Sequence, residues 1–303
     1  MHRIPYRNPF SSASLDRRSA ERDATDWLEA SLADPGTRFI ALRALQPLIE
    51  TDGEPRIRFL DAGDALVRGR PASQLLLMGW FRNQRCVLVE ADERDPEPAG
   101  SRFEELRPLL NSLPADEAAL LHSARALLYW RSRHRHCGVC GAPTVARAAG
   151  HSLRCSNPGC AAGFFPRIDP AVIVLVSDGP YALLGRQASW PKGRYSALAG
   201  FVEAGESLED AVAREVMEET GSTVRESHYF TSQPWPFPSS LMLGFHASAT
   251  RGPVELDGEL EEARWFHADE LRQDIVTLPA PHTIARQLIE EWLRGVGTSP
   301  GGD

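Results

Sequence analysis

Three glutamates, Glu215, Glu218 and Glu219, fall at positions i, i+3 and i+4 of a helical run that opens near Leu208 and stops at Gly221. Side chains at that spacing share one helix face, so the carboxylates stack on adjacent turns. Neighbouring carboxylates raise one another's pKa unless cations neutralise them. Hard divalent ions such as Mg²⁺ take oxygen ligands of this kind together with substrate phosphates, so the chemistry expected is metal-assisted reaction at a phosphate. A solvated acidic face is the plainer account of such a triplet, and the surrounding residues weigh against it. Leu208, Ala211, Val212 and Val216 form an apolar stripe at helical spacing that docks the helix while leaving the acidic face available. Gly200 and Gly205 precede the helix in a loop, Glu206 stands where Arg214 can pair with it, and Gly221 is placed as a C-cap.

The whole string, Gly200, five residues, Glu206, seven residues, then Arg214-Glu215-Val216-Met217-Glu218-Glu219-Thr220-Gly221, resembles the signature of the Nudix hydrolases. Ser222 departs from it, standing where the family places an aliphatic residue. The resemblance implies a loop-helix-loop metal site that hydrolyses a nucleoside diphosphate linked to another group. It also implies that Glu215 and Glu219 hold divalent cations, Mg²⁺ or Mn²⁺, that Glu218 assists, and that the backbone carbonyl of Ala199 ligates as well. Metal ions at a diphosphate neutralise its charge and acidify the attacking water. A nearby carboxylate then takes the proton, and spacing leaves open which glutamate does so.

Four of the five cysteines form two pairs, Cys137-Gly138-Val139-Cys140 and Cys155-Ser156-Asn157-Pro158-Gly159-Cys160. Glycine and proline let each pair turn sharply around an ion, and the pattern reads as a zinc ribbon with a structural Zn²⁺. Two disulfides are the competing reading, disfavoured in a chain with no evident secretion signal. His134, His136 and His151 lie near the knuckles as alternative ligands, and Arg131, Arg133 and Arg135 keep nucleic-acid binding by the ribbon open. Cys86, in the apolar run Cys86-Val87-Leu88-Val89, reads as a core thiol.

A third feature is Ser232-Gln233-Pro234-Trp235-Pro236-Phe237-Pro238-Ser239-Ser240, where prolines stiffen a loop bearing two aromatic rings. Such rings either stack on nucleobases or pack into a core or subunit seam. Downstream of a Nudix box and a four-cysteine ribbon, this string resembles the NADH pyrophosphatase branch of the superfamily. That branch hydrolyses NADH or NAD⁺ to nicotinamide mononucleotide and AMP, and its bacterial members also remove NAD caps from RNA. Its members are homodimers in which the aromatic motif helps to form the nicotinamide pocket. Carried over by position, the resemblance implies that Gln233, Pro234, Trp235, Pro236, Phe237, Pro238, Ser239 and Ser240 line substrate. It extends the same role to Phe201, Phe165 and Ala285, and makes Glu259, from a separate loop, a further metal ligand at the substrate.

These groups need elements to hold them. The 303 residues accommodate two or three domains of roughly 100–200 residues each. The expected fold is α+β: a mixed α/β N-terminal domain over 1–130, a zinc ribbon over 131–168, a Nudix α/β/α sandwich over 169–295 and a flexible tail over 296–303. Strand-like runs fall at Arg38 to Leu45, Gln74 to Phe81, Ala171 to Val176 and Tyr181 to Arg186, with helices at Asp116 to Trp130 and Thr283 to Arg294. No internal repeat is evident.

A formal net charge of −8 argues against broad attraction to nucleic acid, so any RNA contact is expected to be local. The N-terminal arginines Arg3, Arg7, Arg17 and Arg18 lack the apolar core of a secretory signal. With no apolar run approaching the ~18 residues of a membrane span, a cytoplasmic protein without a membrane partner is expected. Neither a Rossmann fingerprint nor a P-loop is present, so NAD is expected as substrate and not as coenzyme. Two other readings stay open: a Nudix hydrolase acting on ADP-ribose or another dinucleotide, and a non-catalytic zinc-ribbon regulator or RNA-binding protein.

Overall fold

The computed structural model describes residues 14–256 and 258–296. Arg3, Arg7, Asp257 and the expected tail from 297 onward lie outside the described residues. The described chain divides into two units, one of 14–167 with 236–239, the other of 168–235 with 240–296.

In the first unit the chain runs through β1 (Leu15–Asp16), α1 (Trp27–Ala33), β2 (Arg38–Arg43), β3 (Gln46–Glu50), β4 (Leu75–Phe81), β5 (Gln84–Ala91), β6 (Ser101–Phe103), α2 (Leu106–Leu109) and α3 (Ala115–Arg133). The strands form one sheet in the order β1-β4-β5-β2-β3-β6, with β2 and β5 parallel. Phe39, Ala41, Leu48, Val87 and Val89 build the core on one face of it. Cys86 is fully buried in β5, and burial pushes its thiol up to about 12, as suits an inert core residue. Three short antiparallel strands, β7 (Thr144–Arg147), β8 (Ser152–Cys155) and β9 (Gly163–Phe164), follow.

The second unit contains β10 (Asp169–Asp178), β11 (Tyr181–Arg186), β12 (Leu198–Phe201), α4 (Leu208–Thr220), β13 (Val224–Trp235), β14 (Ser240–Ala249), β15 (Glu262–His267), α5 (Ala268–Arg272) and α6 (Ile284–Val296). Its sheet order is β13-β14-β10-β11-β15, with β12 added onto β10. The run Ala171 to Val176 within β10 is apolar at every position because both faces of the strand are covered there. Val172, Val174 and Val176 point into a core with Ala211, Val212 and Val216 of α4. Ile173 and Leu175 point the other way, into a core with Leu288, Ile289 and Trp292 of α6. This is the expected helix-sheet-helix sandwich.

The backbone corrects one expectation, that the chain holds no internal repeat. Strands β4-β5-β2-β3-β6 of the first unit repeat β13-β14-β10-β11-β15 of the second in order and in the sense of every pairing. What the first unit lacks between β3 and β4 is an α-helix and a preceding short strand, the places held by α4 and β12 in the second. The duplication resides in strand order, which very different apolar residues satisfy equally, so residue-by-residue comparison misses it. Among the described residues no helix is long and apolar enough to cross a membrane.

Candidate metal centre and substrate cleft

Helix α4 is bounded by local chemistry. Ser207 caps its N-terminus, accepting a hydrogen bond from the Asp210 amide at 3.1 Å. Gly221 ends it at φ 68°, a left-handed conformation that glycine adopts without strain. Arg214 then ties helix to loop. Its guanidinium grips Glu206 with two hydrogen bonds of 2.6 and 2.9 Å, donates to the Phe201 carbonyl at 2.9 Å, and reaches Glu215 and Glu218 at 2.9 and 3.0 Å. Glu206 also accepts from the Glu203 amide at 2.9 Å. These donors hold the Glu206 carboxyl down at about 2.

The three box glutamates are not alike. Glu215 and Glu219 are buried, at 8% and 3% exposure, while Glu218 is exposed. The acidic face expected to lie open is therefore split. Glu215 rests against Gly200, where a Cβ would fall 1.9 Å from its carboxyl carbon. Desolvation raises the pKa of Glu215, Arg214 opposes that rise, and the charges of Glu218 and Glu259 add to it. Glu259 thus acts on Glu215 from a separate loop, and that loop is seated firmly. Leu260 packs onto Gly185, where any side chain would clash with it, and Glu261 pairs with the buried Arg186. Glu259 itself is exposed.

The donor set suits a hard cation, since it is all carboxylate and includes a buried carboxylate whose charge is incompletely compensated. Among the described residues only the four cysteines converge to a ready-made ligand cage. The glutamates need not do so, because Mg²⁺ keeps several waters and takes only one or two protein carboxylates.

The second unit also has a cleft of about 210 Å³. Glu219, Ala199, Gln233, Trp235 and Ala285 all line it. Gln233 does structural duty as well: its amide donates to the His282 carbonyl at 2.7 Å and accepts from the Ile284 amide at 2.9 Å, fastening the start of α6 to β13. The remaining expected substrate residues lie elsewhere. Phe165 and Phe201 are 76% and 58% exposed and do not line this cleft. Pro234 is exposed, and Ser240 pairs with Trp235 across the hairpin. Pro236, Phe237, Pro238 and Ser239 form the hairpin tip, which groups with the first unit. There the Phe237 ring lies under the Arg125 guanidinium at 4.8 Å, and Arg125 donates to the Pro236 carbonyl at 3.0 Å.

Sequence reasoning passed over Gln187, Trp190 and Arg194, which also line the cleft. The one signal available was an aromatic and an arginine flanking Pro191-Lys192-Gly193, a pattern shared by many surface turns.

In the ribbon, Cys137, Cys140, Cys155 and Cys160 place their sulfurs within 4.8 Å of one another. Two sulfur pairs stand at 3.8 and 3.4 Å, far beyond the ~2.05 Å of a disulfide. Tetrahedral zinc at Zn–S ≈ 2.3 Å requires sulfurs about 3.8 Å apart, so the four thiols fit Zn²⁺. His134 and His151 are engaged elsewhere, with the carbonyls of Trp130 and Leu77 at 2.8 and 2.7 Å. Neither they nor His136 joins the cluster.

Comparison with known families agrees with this geometry. Residues 167–291 match the NUDIX domain, 36–130 the NADH pyrophosphatase-like rudimentary NUDIX domain, and 132–165 the NADH pyrophosphatase zinc ribbon domain. The NUDIX match implies dependence on a divalent metal. The chain is 40% identical to the NAD-capped RNA hydrolase NudC of Mycobacterium bovis over 93% of its own length and 94% of the relative's. It is 44% identical to the NAD-capped RNA hydrolase NudC of Stutzerimonas stutzeri over 71% and 76%, and 34% identical to the human NAD-capped RNA hydrolase NUDT12 over 95% and 73%. With the acidic helix, the four-thiol ribbon and the N-terminal region each inside a matched family model, and relatives 34–40% identical covering 93–95% of it, the chain belongs to the NADH pyrophosphatase branch of the Nudix hydrolases.

Proposed function

We propose that this protein hydrolyses the diphosphate bond of NAD(H), giving nicotinamide mononucleotide and AMP, and acts likewise on the NAD-capped 5′ end of RNA. The observation that carries this reading is convergence on one cleft: Glu219 of the metal-binding helix lines it together with Gln233 and Trp235 of the aromatic-proline motif and Ala285 at the start of α6. A carboxylate suited to cations and a flat indole surface are what a dinucleotide diphosphate requires. The relatives named as NAD-capped RNA hydrolases support the same substrate class.

In this reading Glu215, Glu219 and Glu259, with the Ala199 carbonyl, hold Mg²⁺ or Mn²⁺, which when bound neutralises the diphosphate and acidifies water. Arg214 fixes Glu215 and locks the preceding loop through Glu206. Glu218, exposed and hydrogen-bonded to Arg214, assists proton removal in this reading. Trp235 stacks on a base, and Gln233 orients it by fastening β13 to α6. Phe201, Pro234 and Ser240, in the same unit as the cleft, extend the substrate surface, and Phe165 and Pro236 to Ser239 are kept as candidate substrate contacts by their likeness to the family motif. Phe201 and Tyr229, exposed apolar rings on the second unit, support a homodimer. Zn²⁺ in the ribbon is structural, because four thiolates leave no position for substrate. The division into 1–130, 131–168 and 169–295 is retained as the domain scheme, and the cytoplasm as the compartment, in keeping with four reduced thiols.

The test is product analysis. With NADH and Mg²⁺ the wild type is expected to release NMNH and AMP, and Glu219→Gln to release neither. A strong preference for ADP-ribose would overturn the substrate assignment, and inactivity towards every dinucleotide with either metal would overturn catalysis itself. Light scattering that finds a monomer would remove the dimer.

A further inference from the structure

The turn between β11 and β12 carries a second built feature of the cleft. Arg186, 5% exposed, donates to the Trp190 carbonyl at 2.8 Å while pairing with Glu261, so the backbone beneath Trp190 is held in place. Further along, the Thr277 amide donates to the Gly193 carbonyl at 2.8 Å, and the Tyr195 amide donates to the Thr277 carbonyl at 3.0 Å. Arg194 is therefore pinned by backbone bonds on both sides. Its guanidinium lies 5.6 Å from the centre of the Trp190 ring, within cation–π range.

Two facts turn this stack into a candidate recognition element. Arg194 is the one cationic side chain among the described residues that line the cleft, and Glu219 lines the same cleft. Among the described residues no carboxylate pairs with Arg194, whereas Arg186 and Arg214 each have one. A guanidinium stacked on an indole keeps its planar fork oriented and its donors available, and that fork matches a phosphate in two-point geometry.

We propose that Arg194, oriented by Trp190, binds a phosphate of the substrate and sets the preference of this cleft for phosphorylated over unphosphorylated ligands. The proposal rests on the dinucleotide-hydrolase reading above and adds a phosphate contact that the Nudix box does not contain. Trp190 is a positioning residue in this scheme, acting through Arg194.

The test pairs ligands that differ only by the phosphate: nicotinamide mononucleotide with nicotinamide riboside, and AMP with adenosine. Binding to the full-length protein is measured in Mg²⁺ for the wild type, Arg194→Met and Arg194→Lys. Arg194→Met is expected to weaken one of the two monophosphates about tenfold while leaving its nucleoside unchanged, the size of one charged hydrogen-bonded contact. Arg194→Lys, which keeps the charge and loses the fork, is expected to fall between. A monophosphate and its nucleoside weakening together in both variants would mean a structural role and overturn the proposal, as would no change in either. Neither ligand pair is hydrolysed, so the affinity ratio decides the role of Arg194 independently of turnover. Wild-type NADH hydrolysis, run in parallel, reports separately on the underlying reading.

Discussion

Replacing Gly200 with alanine separates catalytic geometry from folding. The φ of Gly200 lies outside the left-handed range, and the residue sits in β12 opposite Val172, so alanine meets no backbone obstacle. What the new methyl meets is the end of Glu215, with its carboxyl carbon at 1.9 Å and its two oxygens at 2.0 and 2.1 Å. Those distances are impossible, and the carboxylate, being the tip of a flexible side chain, is the part that moves. Moving it breaks the 2.9 Å bond from Arg214. That costs about 1.5–3 kcal/mol of stability, the range for one hydrogen bond to a charged group, while Arg214 keeps Glu206 and Glu218. The effect on catalysis is expected to be larger, because the carboxylate proposed as a metal ligand leaves the position where metal charge would stabilise the transition state, a contribution of several kcal/mol. Each 1.36 kcal/mol is tenfold in rate, so kcat is expected to fall at least ~100-fold. The assay is steady-state NADH hydrolysis beside urea unfolding, for Gly200→Ala, Glu215→Gln and the double variant. Because both changes act on one carboxylate, the double variant should be no slower than the slower single one. Near-normal kcat in Gly200→Ala, or losses that multiply in the double variant, would refute the reasoning.

Three further outcomes are expected. The depressed carboxyl of Glu206, at about 2 against an ordinary value of 4.5, contributes stability that is fully present above about pH 4.5 and is lost as pH falls towards 2. Glu206→Gln should therefore lower the melting temperature at pH 7, with the gap to wild type closing through that acid window. The chain should carry one zinc ion, measured by elemental analysis. Cys155→Ser should lose it and melt earlier, and the four ribbon thiols should alkylate only after chelation. Gln233→Leu leaves the Ile284 amide and the His282 carbonyl without the bonds that fasten α6, and should cost at least about 2 kcal/mol in denaturant unfolding.

Much of this site was legible in the chain because its chemistry is local. The pairing of Arg214 with Glu206, the C-cap at Gly221, the apolar stripe on α4 and the clustering of four thiols follow from residues within a few turns of one another. The strand run from Ala171 was equally plain, since a strand covered on both faces leaves an unbroken apolar string. The depth of the glutamates was not legible. Helical spacing put Glu215, Glu218 and Glu219 on one side, yet only Glu215 and Glu219 are buried, and what covers Glu215 is Gly200 from a neighbouring strand.

Sequence alone determined the chemical inventory: three carboxylates at helical spacing, four thiols in two knuckles, and an aromatic-proline string, expected as a loop, whose Ser232 to Trp235 instead belong to strand β13. Such groups depend on backbone periodicity and turn geometry, which act over a handful of residues. Tertiary structure decided which of them meet. Glu219, Trp235, Ala285, Trp190 and Arg194 come from separate segments and share one cleft because β10 to β14 and α6 close around it. The repeated strand order likewise exists only in the pairing of distant strands, where many apolar sequences satisfy one topology.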